Sequence, residues 1–215
     1  MKERCVKPTE SLSRIDYLQV TGQDSCEVFC GSDQEWYGTK RQRLTGCGPS
    51  AAANILFYLN RQREENCCGK SREDLLRFME MAWEYVTPLS NGIPSTALFR
   101  EKLEYYASGQ NENFRFFILD IPMEVPKRPV LYEVIEFIQN GLRADTPIAF
   151  LNLDNGAETA LEAWHWVTIT AISAEETDAV VDICDEGVKK QINLKLWLET
   201  TVQGGGFIYL LSARE

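Results

Sequence analysis

Thr45-Gly46-Cys47-Gly48-Pro49-Ser50-Ala51-Ala52-Ala53-Asn54-Ile55-Leu56 sets a cysteine between two glycines and follows it at once with a helical run. Pro49 fits a first helical turn, where its missing N–H has no intrahelical partner to lose. Ala52, Ile55, Leu56 and Leu59 recur at helical spacing, so at least one face of this helix is expected to be buried. The thiol therefore stands at the positive end of a helix, where a thiolate is stabilised. Free backbone N–H groups there can also donate to a developing oxyanion, and the flanking glycines leave the sulfur open to a substrate carbonyl.

Outward from this helix, the chain changes character. Residues up to Gly46 read as loop-rich and polar. Ser71, with Glu73 and Asp74 behind it, caps a second helix with an apolar stripe of Leu75, Met79, Ala82, Trp83 and Val86. Thr87-Pro88 stops it, Asn91-Gly92-Ile93-Pro94 turns, and Ser95 caps a third helix carrying Phe99, Leu103 and Tyr106. After a β-rich run over 114–119 and a proline-punctuated loop, 131–142 predicts one more helix. Strands follow at 147–153, 164–172, 178–184 and 206–211, with 191–194 as a possible fifth. Helices first and strands afterwards mean α+β rather than a βαβ alternation. Length favours one domain over 1–215: a loop-rich segment 1–30, a helical lobe 31–110 and a sheet lobe 111–215.

Composition narrows the function. The net charge of −10 argues against nucleic acid, which needs surplus Lys and Arg. No apolar run reaches a membrane span, and the polar start lacks the apolar core of a secretory signal, so a cytoplasmic location is expected. The seven cysteines are an odd number, read here as mostly reduced, partly buried thiols. Cys26…Cys30 and Cys67-Cys68 lack the paired knuckles of a zinc site, and with one histidine in the chain neither metal nor cofactor is expected.

That histidine, His165, opens the strand run Trp164-His165-Trp166-Val167-Thr168-Ile169-Thr170-Ala171. Strict alternation puts His165, Val167, Ile169 and Ala171 on one face and Trp164, Trp166, Thr168 and Thr170 on the other. An imidazole at a strand end suits a partner for the Cys47 thiol, with flanking aromatics excluding water. A third group must orient the ring by accepting its second N–H. Asp182 and Asp185, on the next strand, have opposite parity, and Asp185 at the strand end is preferred. Gln34 and Gln42 both precede Cys47 and are the candidate oxyanion donors. A thiol phosphatase is excluded, because the position six residues after Cys47 is Ala53 rather than arginine, and Cys47 has no cysteine two or three residues away for disulfide exchange.

Gln34-Glu35-Trp36, Gly46-Cys47-Gly48-Pro49-Ser50-Ala51, the His165 strand and Asp185-Glu186-Gly187 together resemble the papain-like cysteine peptidase superfamily, and most closely its bacterial C39-like branch. The resemblance spans about residues 30 to 211. It implies a helical part whose nucleophile helix packs on a C-terminal antiparallel sheet. It also implies Cys47 as nucleophile, His165 as general base and then acid, Asp185 as orienter, and Gln34 with the Cys47 N–H as oxyanion hole. The implied partner is a peptide or small amide substrate. Glu186 departs from the pattern, standing where many relatives carry proline, and Gln42 is one residue closer to the cysteine than the usual glutamine.

Overall fold

A computed structural model describes residues 9–22, 27–63, 71–175 and 177–213. The chain begins with three short strands, β1 (Thr9–Ser11), β2 (Gln19–Thr21) and β3 (Val28–Cys30), and then a 3-10 turn over Gln34–Trp36. Helices α1 (Lys40–Thr45), α2 (Cys47–Arg63), α3 (Arg72–Tyr85) and α4 (Thr96–Gln110) follow. The second half carries β4 (Phe114–Ile121), α5 (Leu131–Arg143), β5 (Ile148–Asn152), β6 (His165–Ala174), β7 (Ala179–Asp185), β8 (Val188–Asn193), α6 (Leu194–Thr200) and β9 (Gly205–Ser212).

Local chemistry sets the helix ends. Ser71 and Asp74 form a reciprocal capping box at the start of α3, and the Ser95 hydroxyl accepts from Leu98 N–H at the start of α4. Asn111, with φ 55°, closes α4 in the left-handed region. The same chemistry makes a helix where the sequence reads as loop: Thr39 and Gln42 box the start of α1, six residues long.

The main sheet is antiparallel, ordered β4-β9-β5-β6-β7-β8, and β1 pairs with the far part of β6. Strands β4, β5 and β9 alternate between two cores. Along β5, Ala149 and Leu151 join Trp166, Ile208 and Leu210 against α2 and α4, whereas Ile148 and Phe150 join Val167, Phe207 and Tyr209 against α5 and α6. Covering both faces explains why β5 is buried throughout. Helix α2 is itself sandwiched: Ile55 and Leu56 meet the sheet side, while Ala53 and Phe57 meet Leu75, Met79 and Ala82 of α3. Residues 48–59 of α2 are all buried, so one-sided periodicity understates this helix.

Strict alternation along β6 holds only to Ile169. A bulge between Ile169 and Ala171 resets the parity, so Ile172 and Ala174, not Ala171, continue the face begun by Val167. Trp164 lies ahead of the strand with φ 57°. The expected strand at 191–194 is the end of β8, and Asn193 caps α6 one residue before Leu194.

The reduced-thiol expectation fails for one pair. Cys30 of β3 and Cys184 of β7 form a disulfide, with Cα atoms 5.4 Å apart. Backbone bonds Cys30 N–H to Gly187 C=O and Gly187 N–H to Ser32 C=O bring the two strands together across 154 residues of sequence, a juxtaposition that no local pattern announces. Cys47 is free. The Cys5, Cys26, Cys67 and Cys68 thiols lie outside the described residues. Among the described residues no helix is long and apolar enough to cross a membrane.

Candidate active site

Cys47 opens α2 directly after Gly46, the C-cap of α1. Both flanking glycines are required by packing within the protein. A Cβ on Gly46 would stand 2.4 Å from the Gln42 carbonyl oxygen and 2.9 Å from the Tyr37 ring, and one on Gly48 would stand 2.8 Å from the tip of Ile93. Ile93 is held in turn: its carbonyl accepts from Trp166 Nε1 at 2.8 Å, and the Trp166 ring stacks on Phe99. Backbone and packing thus fix where the sulfur stands.

His165 begins β6, and Asp185 ends β7 at a two-residue hairpin. Glu186 (φ 51°) and Gly187 (φ 73°) both take positive φ, the conformation of a type I′ turn that matches strand twist. His165 Nε2 and Asp185 Oδ1 are 2.6 Å apart, with the carboxylate side chain almost wholly buried. Cys47 lines the same cleft as the ring, and its thiol acts electrostatically on the imidazole. Burial opposes charge on His165, but the hydrogen bond to Asp185 and the influence of the Cys47 and Asp185 charges outweigh it and raise its pKa to about 10. Burial would raise Asp185, yet the His165 hydrogen bond and charge, together with Lys190, hold it below the usual carboxylate range. Asp182 faces away and binds Lys189 and Gln191.

The two glutamines part company. Gln34 lines the same small cleft, of about 20 Å³, as Cys47, His165 and Asp185, and its Oε1 is buried with no hydrogen-bond partner among the described residues. Gln42 is committed elsewhere: Oε1 serves the α1 capping box and Nε2 donates to Glu80 at 2.6 Å.

Four further features went unread in the sequence. Asn54, buried in α2, accepts from Ser32 N–H at 2.8 Å and donates to Thr168 Oγ1 at 3.0 Å, tying the Gln34 segment to helix and sheet. Its sequence signal was a polar residue amid an otherwise apolar run. Asn152 at the end of β5 accepts from Trp197 and donates to Glu162 C=O, holding the approach to His165. Lys190 Nζ lies 2.7 Å from Asp185 Oδ2. The Cys30–Cys184 bridge joins the strand before Gln34 to the strand bearing Asp185.

No family model matches the chain, and no curated protein matches it in sequence. In structure, the chain is similar to UfSP from C. elegans, which superposes with a TM-score of 0.53 at 9% identity. The match covers 99% of this chain but 36% of that one. The fold is papain-like. In this fold the α2 N-terminus and the ends of β6 and β7 meet at one cleft, where Cys47, His165, Asp185 and Gln34 are found.

Proposed function

We propose that this chain is a papain-like cysteine hydrolase that cleaves an amide, in a peptide or a small molecule, through a thioester on Cys47. The observation that carries the reading is the convergence of Cys47, His165 and Asp185 on one cleft, with His165 Nε2 held 2.6 Å from Asp185 Oδ1. Asp185 accepts from Nε2–H, which leaves Nδ1 as the ring nitrogen to serve the Cys47 thiol. The thiolate attacks the carbonyl carbon, forming the C–S bond, while the Cys47 N–H and the Gln34 amide N–H donate to the oxyanion. His165 passes its proton to the leaving amine as the C–N bond breaks. It then takes a proton from water, whose oxygen attacks the thioester, and the acid leaves as the thiol is restored.

Several features support the finer parts. The order of Gln34, Gly46–Ala51, His165 and Asp185 favours the bacterial C39-like branch. Pairing of β1 with β6, which ties the N-terminal segment into the sheet, supports treating 1–215 as one unit. In a reducing cytoplasmic setting the Cys30–Cys184 bond would open, so both redox forms belong in the assay. The decisive experiment incubates the chain with peptide and amide libraries and detects a Cys47 acyl-enzyme by mass spectrometry. Release of amine that is lost in Cys47→Ala is the expected result. Absence of acylation, combined with an alkylation rate at Cys47 that His165→Ala leaves unchanged, would sink the hydrolase reading.

A further inference from the structure

Asp185 has two oxygens and two cationic claimants. Oδ1 meets His165 Nε2 at 2.6 Å and Oδ2 meets Lys190 Nζ at 2.7 Å. The hairpin makes this possible. Asp185 pairs with Val188 and Ile183 with Lys190, so Asp185 and Lys190 lie on one face of the β7–β8 ribbon, one diagonal step apart. Lys189 falls on the other face and binds Asp182. The Lys190 side chain is 30% exposed and its carboxylate partner 2%, so the ammonium closes the outer side of a buried anion. We propose that Lys190 is a positioning residue of the site: it fixes the Asp185 carboxylate on His165 and takes a share of its negative charge. This rests on the hydrolase reading above and deepens it.

The chemistry gives the role a purpose. As general acid, His165 must release its proton to a leaving amine, and a buried, uncompensated aspartate would hold that proton too firmly. An ammonium on the same carboxylate, carrying the same charge as the imidazolium, weakens the hold while keeping the geometry. The titratable groups facing the ring are Cys47 from α2, Asp185 from β7 and Glu186 in the hairpin turn, with Lys190 from β8 on Asp185 and Glu162, in the segment before β6, acting on Glu186 and Lys190. Lys190 is the cation of this set.

The test uses the fact that the chain has one histidine, so its imidazole signals in NMR need no assignment among rivals. Titration is followed in the full chain carrying Cys47→Ala, which removes the thiol's own contribution. Adding Lys190→Met should raise the His165 pKa by about one unit, the size expected for removing a like charge nearby. Lys190→Arg should leave it within a few tenths, and Lys189→Met should leave it unmoved. A His165 titration that is unchanged or lowered in Lys190→Met overturns the proposal. If Lys190→Met does not fold by circular dichroism, Lys190→Gln takes its place with the same expectation. Alkylation of Cys47 by iodoacetamide, measured in chains that keep the thiol, separates the two claims. Alkylation that depends on His165 beside an unmoved titration refutes Lys190 alone. Alkylation independent of His165 refutes the hydrolase reading.

Discussion

The start of α2 and the ends of β6 and β7 hold their parts of the site by different means. Cys47 is placed by close packing: a helix buried on all sides over 48–59, Gly46 with no room for a Cβ, and Ile93 pressed against Gly48 in the first turn. His165, Asp185 and Gln34 are placed by polar and covalent ties, through Lys190, Asn54, Asn152 and the Cys30–Cys184 bridge. Packing is insensitive to pH and reductant, whereas the ties on the sheet side respond to both. The nucleophile should therefore stay in place under conditions that detune its partners.

The hardest break removes the proposed base. His165→Ala should slow Cys47 alkylation and any turnover near neutral pH by about 100- to 10,000-fold, and it should also lower the melting transition because buried Asp185 loses its imidazole partner. Equal alkylation rates in the two proteins would show that the thiol is not served by the imidazole. Next comes the proposed oxyanion donor. Gln34→Ala should cost about 100-fold in turnover. Gln42→Ala should leave turnover largely intact and instead lower stability by about 1 kcal/mol, because it removes the α1 capping box. A reversed pair of results would move the oxyanion role to Gln42.

Redox and packing changes sharpen the contrast further. Opening Cys30–Cys184 with a dithiol, or by Cys30→Ser, should lower unfolding stability by about 2–4 kcal/mol. It should also slow turnover, because the Gln34 segment and the Asp185 strand lose their shared tether. Urea denaturation with and without reductant reads the first effect, and steady-state kinetics the second. Gly46→Ala, aimed at the packed side, meets backbone at 2.4 Å and should destabilise by about 2 kcal/mol. Gly48→Ala meets only the flexible end of Ile93 and should cost less. Melts of the two variants in the opposite order would contradict the packing account.

The same division explains what the sequence let one see. Caps and turns announce themselves within four residues, so the starts of α3 and α4 at Ser71 and Ser95 were legible, as was the Asp185 turn. Three-residue strands such as β1, β2 and β3 are too short for alternation to register, and α1 and α6, of six and seven residues, are too short for helical period. Cys47, His165, Asp185 and Gln34, which line one cleft, each sit in a local context that suits the chemistry proposed for them. Asn54, Lys190 and the Cys30–Cys184 pair have no such local context, since their meaning comes only from strand register and long-range pairing. The β6 bulge belongs with them: one extra residue overturned the parity of everything after Ile169.

The dependence of stability on pH takes its sign from the two shifts. His165 titrates higher in the folded chain, at about 10, than when unfolded, so its contribution is complete below about pH 6.5 and is lost as pH rises toward 10. Asp185 titrates lower when folded, so its contribution is present above the ordinary carboxylate range and lost as pH falls through its depressed value. Between pH 6.5 and 10 the folded chain binds more protons at His165 than the unfolded chain does, and stability should decline across that window. His165→Gln removes the one imidazole in the chain and should flatten the decline, leaving the residual slope to the thiols and other groups. Urea midpoints at pH 6, 7.5 and 9 for both proteins give the comparison. Parallel slopes would mean that the ties around His165 hold its charge no better than water does, and the sheet side would then be no more pH-sensitive than the packed helix.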